Sequence, residues 1–247
     1  MMNRQEIVLG RVECYEASPK VWSFKKVDDI VHGMNLRLSN MVGGFPFECQ
    51  DTVWKDSERL YLCGEFSNNT EEHRQIQEKL CSAKSGYAAK RWVKTPNKRA
   101  VREDFATFRL DWMLYCVWQK CLGNKDFREL LTSIPEEVTL VENTTTDNQG
   151  TADIWGCRNK ALVAERKRLT EEITRQNAHL GKKELERLVN IETNKVDSIG
   201  QWQGQNNIGK ILMICRNALL AGAAPMVDYY LLKRAEIYIL GKKALFP

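Results

Sequence analysis

Gly204-Gln205-Asn206-Asn207-Ile208-Gly209-Lys210-Ile211-Leu212-Met213-Ile214-Cys215-Arg216 is the stretch on which the reading of the fold turns. A Gly-, Gln- and Asn-rich entry over Gly200 to Gly209 gives way at once to an apolar run, which predicts a helix over Ile211 to Leu220. Free backbone N–H groups at such a helix start, with the positive end of the peptide dipoles behind them, suit an anion such as a phosphate. The stretch is not a dinucleotide fingerprint, because no GxGxxG follows a strand, nor a P-loop, because no Lys-Ser/Thr follows. On spacing alone such a glycine-bearing helix entry is more often a turn than a ligand site.

Working outward, Asn159 to Val196 is highly charged, and Leu162, Leu169, Ile173 and Leu180 leave only a narrow apolar stripe. That pattern predicts a helical hairpin, inserted over 159–199, with Gly181 ending its first helix in the left-handed conformation. The hairpin is a candidate device for self-association. Beyond the apolar helix, a C-terminal extension over 221–247 is expected to hold one more helix, about Val227 to Leu240. Toward the N-terminus, Val138 to Val141 reads as a strand entering a polar loop that ends at Asp153-Ile154-Trp155-Gly156. Before it, Asp126 to Ile134 and Phe105 to Leu122 read as helices, the latter apolar on most sides. The basic segment Lys84 to Arg102 is interrupted at Pro96. Further back, a helix begins at about Glu71, and another, capped by Asp56 or Ser57, runs to about Phe66. Glu6 to Val12 and Val21 to Phe24 read as short strands. The expected fold class is therefore α+β, mostly helical, with a few short strands, in one domain over 1–247.

The 247 residues carry a formal net charge of +5, with 43% hydrophobic and 28% charged residues, which is ordinary for a globular chain able to bury a core. Fifteen Gly and six Pro are too few for a collagen-like or mainly disordered protein. Met1 to Gly10 does not read as a secretory signal. The run from Ile211 to Val227 is broken by Arg216, Asn217 and Pro225, so no membrane association is expected, and the location expected is cytoplasmic. Eight cysteines are scattered without a CxxC, and the three histidines, His32, His73 and His179, stand at no ligand spacing from them. Reduced thiols, no metal and no cofactor are expected.

Two features suggest chemistry. Glu58 and Glu65 lie seven apart on one predicted helix, on one face and about 10 Å apart along the axis. Paired acids fit hydrolysis, and they fit a solvated stripe as well. Trp155-Gly156 can offer an aromatic face to a base or sugar, or plug the core.

Order and spacing together say more. Leu38-Ser39-Asn40 comes first, then Ser57-Glu58 with Phe66 eight residues beyond Glu58, and Met113 with Lys120 seven later. Leu130-Leu131, Leu140-Val141-Glu142 and Trp155-Gly156 follow, and then Gly204-x-Asn206-x-Ile208-Gly209-x-x-Leu212-Met213-x-x-Arg216. Across about residues 21 to 220 this series resembles the NADAR (YbiA-like) family. The resemblance implies a compact helix-rich α+β domain that cleaves an N-glycosidic bond between ribose C1 and a nitrogen. Family activities include hydrolysis of phosphorylated ribosylamino-pyrimidines and removal of ADP-ribose from modified guanine in nucleotides or nucleic acid. The implied ligand is thus a phosphorylated ribose or ADP-ribose, free or carried on nucleic acid.

Carried over by position, the family's helix glutamate falls on Glu58, its strand-end glutamate on Glu142, and its helix entry on Asn206, Gly209 and Arg216. Ser39, Asn40, Lys120, Trp155 and Gly156 fall on the remaining substrate-binding motif positions. Asp153 stands two residues ahead of Trp155, where the family's acid usually stands three ahead. Phe105 stands where a Trp is common, and Glu65 where many members carry a lysine. A carboxylate cannot attack an opened ribose as an amine can. The resemblance then leaves three routes: another lysine, such as Lys120 or Lys90; direct hydrolysis; or a non-catalytic ADP-ribose or nucleotide-binding module. In direct hydrolysis Glu58 stabilises positive charge at C1, and Glu65, its pKa raised beside Glu58, protonates the leaving nitrogen. Glu142 or Asp153 then meets ribose hydroxyls, Arg216 and the helix entry hold phosphate, and Trp155 or Phe105 stacks on a base.

Overall fold

The computed structural model describes residues 6–25, 29–145, 151–195 and 201–247. The strands β1 (Glu13–Glu16), β2 (Val21–Phe24), β3 (Ile30–Val31) and β4 (Met34–Asn35) come first, followed by the hairpin of β5 (Phe47–Cys49) and β6 (Thr52–Trp54). Then come α1 (Ser57–Glu65), α2 (Glu71–Ser82) and the single turn α3 (Gly86–Ala88), which runs straight into a π-helical segment at Ala89–Lys94. The long α4 (Phe105–Gly123), α5 (Lys125–Ser133), β7 (Thr139–Glu142) and the short α6 (Ala152–Trp155) precede the charged pair α7 (Lys160–Gln176) and α8 (Lys182–Lys195). The chain ends with β8 (Gln201–Gly204), α9 (Asn207–Leu220), α10 (Tyr229–Arg234), β9 (Tyr238–Ile239) and β10 (Lys242–Lys243). The fold is mixed and rich in helix, as the patterning suggests.

Where one domain is expected, the chain forms two compact units, one mainly of Phe24–Val138 and Lys210–Pro247, the other of Val8–Ser23 and Thr139–Gly209. In the first, α1 forms because Asp56 caps it: the carboxylate accepts the Arg59 N–H at 3.0 Å, and no β-branched residue interrupts the turns. All nine residues of α1 are buried, and α4, with eleven buried residues, packs against it. Gly64 lets them approach: a Cβ there would stand 2.0 Å from Trp112 Nε1, which donates to the Tyr61 carbonyl at 3.1 Å. A side chain at Gly64 would force the two helices apart.

In the second unit β1 pairs antiparallel with β8, Tyr15 opposite Trp202, and those two side chains join Val141 and Cys157 in a small core. β2 pairs with β7. The helices α7 and α8 pack on each other as a hairpin. Its first helix, however, ends at Gln176 with Asn177 as the cap, and Gly181 is not left-handed. Val196 and Gly200, the expected end of the hairpin and start of the return, lie outside the described residues, as do 146–150 of the polar loop.

Two other expectations change. Glu6 to Val12 is not a strand; β1 starts at Glu13, where Tyr15 can pair and point inward. The helix expected to Leu240 stops at Arg234, and a hairpin follows, its turn made by Leu240 and Gly241 with φ of 49° and 82°. Two central residues at positive φ match the twist of adjoining strands, so the turn takes over from the helix. The expected extension packs in the first unit: α10 lies on α4, and Tyr238 N–H donates to the Ser67 carbonyl at 2.9 Å. Among the described residues no helix is long and apolar enough to cross a membrane. All eight cysteines carry free thiols, six of them buried.

Candidate active site

Asn40 sets the start of α1. Its carbonyl accepts the Glu58 N–H at 3.2 Å, its side-chain oxygen accepts the Ser57 hydroxyl at 3.1 Å, and its amide nitrogen lies 2.9 Å from Met113 Sδ. Three motif residues distant in sequence therefore fix the backbone that carries Glu58. Below them, the buried Asp56 carboxylate is paired with the equally buried Arg59, whose guanidinium also donates to the Ala83 carbonyl at the end of α2.

Opposite α1 runs the π-helical segment Ala89–Lys94, identified by the i→i+5 bond from Thr95 N–H to the Lys90 carbonyl at 3.1 Å. Such bulged turns are uncommon and gather at functional sites. Here the segment aims two lysines at two acids: Lys90 Nζ is 3.9 Å from Glu58 Oε1, and Lys94 Nζ is 3.4 Å from Glu65 Oε1. The carboxylates are almost covered, while both lysines keep about a quarter of their surface in solvent. Burial pushes the Glu65 carboxyl up to about 7; repulsion from Glu58 adds to this, and the Lys94 and Lys90 ammonium groups oppose it. Glu65 Oε2 is buried without a hydrogen-bond partner among the described residues. Tyr61, one turn beyond Glu58, is buried between the two acids in sequence, and its hydroxyl is held well above its usual pKa by burial and by both carboxylates. The cluster can thus exchange a proton near neutral pH beside a second carboxylate, with two ammonium groups at the solvent side to draw in an anion.

The other expected site residues have different surroundings. Phe105 does not offer a free face: its ring is buried against Tyr61 at 5.5 Å and Phe108 at 5.3 Å. Lys120 is 1% exposed, its Nζ 3.8 Å from the Phe127 ring centre and 5.2 Å from that of Phe45, so no solute reaches it. Burial lowers its pKa to about 8. Arg216 is also 1% exposed and turns inward. Its guanidinium donates to the carbonyls of Pro135, Val138 and Glu136 at 2.8–2.9 Å and to Asn217 Oδ1 at 3.2 Å. It anchors the turn before β7 rather than a phosphate.

In the second unit Asn206, at φ 51°, donates to the Leu140 carbonyl at 2.8 Å and accepts the Glu142 N–H at 3.0 Å. Gly209 is needed beside it, because a Cβ would fall 2.2 Å from the Leu140 carbonyl oxygen. These motif residues clamp the entry of α9 onto β7; they are engaged by backbone, not open to a ligand. Gly156 is close-packed in the same way, its Cβ position 2.5 Å from the Glu142 carbonyl oxygen. Asp153 is exposed and paired with Arg158 at 3.1 Å. Glu142, Trp155 and Ser39 are partly exposed.

The structure therefore brings together Ser39-Asn40, Glu58 and Glu65 from the expected set, places Lys90 as an ion-pair partner of Glu58 rather than as a replacement amine, and adds Lys94, which sequence reasoning missed. The basic residues four apart in Lys84 to Arg102 were the available signal, since that spacing can face acids seven apart on another helix.

No family model matches the chain, and no curated protein matches it in sequence. Its structure is similar to the NMR structure of the E. coli protein YbiA, over 83% of this chain and 88% of that one, with a TM-score of 0.50 and 19% identity. At that identity the likeness is one of fold, and the fold is YbiA-like.

Proposed function

We propose that this chain is a NADAR-type N-glycosidase that hydrolyses the bond between ribose C1 and a nitrogen. The observation that carries the reading is the pairing of Glu58 with Lys90 and of Glu65 with Lys94 in a largely buried cluster. Cleavage of a glycosidic C–N bond passes through an oxocarbenium-like state, which needs a carboxylate near C1 and an acid for the departing nitrogen. Glu58 supplies the carboxylate and orients the attacking water. Glu65, whose carboxyl holds its proton up to about pH 7, supplies the acid. Lys90 and Lys94 attract the phosphate of the substrate and keep both acids oriented. Lys120, sealed between aromatic rings, takes no part, and Lys90 and Lys94 act here as ion-pair partners of the acids rather than as attacking amines.

The substrate is ADP-ribosylated guanine, in a nucleotide or nucleic acid, or a ribosylamino-pyrimidine phosphate. Eight free thiols suit a reducing cytoplasmic setting. The test is a mass-spectrometric screen of these substrates with the purified protein, alongside calorimetry with ADP-ribose. Release of ADP-ribose with the unmodified guanine nucleotide, or of pyrimidine with ribose phosphate, supports the reading. Tight ADP-ribose binding with no product from any substrate over hours overturns it in favour of a non-catalytic binding module.

A further inference from the structure

The segment that aims Lys90 and Lys94 at the acids has an opposite, outward side that the glycosidase reading leaves unused. From Lys84 to Arg102 the chain has seven Lys and Arg and no Asp or Glu. Lys90 and Lys94 face α1, and Arg102 is buried against Asp104; Lys84, Arg91, Lys98 and Arg99 remain exposed. Among them stand two aromatic residues left open to water, Tyr87 at 54% and Trp92 at 66% exposure. An exposed tryptophan is unusual, because its ring is one of the largest apolar surfaces a chain can bury.

These side chains are organised. The Arg91 guanidinium donates to the Tyr87 hydroxyl at 2.8 Å and lies over both rings, 6.0 Å from the centre of Tyr87 and 5.2 Å from that of Trp92. The result is a ledge of two rings bridged by a cation, one helical turn from the Glu58–Lys90 pair. Flat aromatic faces alternating with positive charge match the chemistry of unpaired bases on a phosphate backbone. A protein partner's apolar helix would ask for more apolar surface than is present, since Val93 beside Trp92 is half-buried and Ala89 is buried. A lipid surface would ask for the same.

We infer that Tyr87, Arg91 and Trp92 bind single-stranded nucleic acid, so that the glycosidase site works on a ribosyl group carried by a strand. This rests on the proposed activity for its biological meaning, but the binding itself does not need turnover. The rings take bases by stacking; Lys84, Lys98 and Arg99 take phosphates.

The test is fluorescence anisotropy of labelled, unmodified dT12 and U12 with the full-length protein, over a salt series. Binding that weakens steeply with salt is expected. Trp92→Ala and Tyr87→Ala should each weaken it about tenfold, the loss expected for one stacked base. Trp92→Phe should recover most of the affinity. Both positions are on the surface, and thermal unfolding will report whether each of the three variants keeps the fold. A preference for dT12 or for U12 identifies the strand as DNA or RNA. Equal affinity for a blunt duplex, equal competition by polyglutamate, or full binding by Trp92→Ala overturns the proposal. So does binding to phosphatidylserine vesicles with none to either oligonucleotide. No strand binding by the wild type, with its hydrolysis of a mononucleotide substrate intact, would reject this surface and leave the glycosidase reading standing; strand binding with no hydrolysis would do the reverse.

Discussion

Lys94 Nζ stands 3.4 Å from Glu65 Oε1, yet the pairing does not hold the glutamate ionised, because burial outweighs it and raises the carboxyl to about 7. A surface pair at that distance would have lowered the pKa. The difference is desolvation, reinforced by Glu58 on the same helix face.

One consequence is a dependence of stability on pH. Glu65 ionises near 4.5 when unfolded and near 7 when folded. Below 4.5 its contribution is fully present; between 4.5 and 7 the unfolded chain loses its proton first, and stability falls as pH rises through 7. Urea unfolding of the wild type against Glu65→Gln at pH 4.5, 6 and 8 should show the variant gaining on the wild type by roughly 3 kcal/mol across that window. A constant difference would mean Glu65 is ionised throughout.

The same proton sets a limb of the rate profile. With Glu65 as the acid, kcat should fall as pH rises through about 7, and Glu65→Gln should lose both that limb and about 100- to 1,000-fold in rate. A profile unchanged in shape for Glu65→Gln would assign the acid elsewhere.

Asp56 and Arg59 hold the base of α1 together, 1% and 2% exposed. Asp56→Ala removes the helix cap and strands a buried guanidinium, so it should cost about 3–5 kcal/mol in urea unfolding. A loss under 1 kcal/mol would show that water reaches Arg59.

Lys120 works in the other direction. Its ammonium is buried with no hydrogen-bond partner among the described residues, and its pKa falls to about 8 from burial. The folded state gives up this proton before the unfolded state, so the penalty is present at neutral pH and relieved between about 8 and 10.5. Lys120→Met, of similar length, should therefore stabilise the protein by about 1–3 kcal/mol at pH 7, with the gain shrinking toward pH 10. Thermal unfolding in which Lys120→Met is less stable at pH 7 would mean that the Phe45 and Phe127 rings repay the desolvation in full.

Much of the scaffold was legible because its signals are local. Asp56 caps α1, the apolar run from Phe105 makes α4, and the order of short motifs marked a YbiA-like fold. The site was legible only in part. Arg216 and Asn206 look like anion ligands in sequence, since nothing local distinguishes an arginine or asparagine that will meet a phosphate from one that will meet buried carbonyls. In the structure both close backbone groups around β7. Lys94 was invisible for the converse reason: its partner Glu65 is 29 residues away, and a π-helical turn has no sequence signature of its own. The C-terminal hairpin displaced a predicted helix because Leu240-Gly241 favours a turn that helical periodicity does not register.

The most direct measurement is single-turnover release of ADP-ribose and guanosine from ADP-ribosylated guanosine, or of pyrimidine and ribose phosphate from a ribosylamino-pyrimidine phosphate, by the wild type and Glu58→Gln, followed by mass spectrometry. Glu58→Gln keeps the shape of the side chain and removes its charge, so the account predicts an unchanged circular dichroism spectrum and a rate at least about 100-fold lower. Release by Glu58→Gln at the wild-type rate would contradict it.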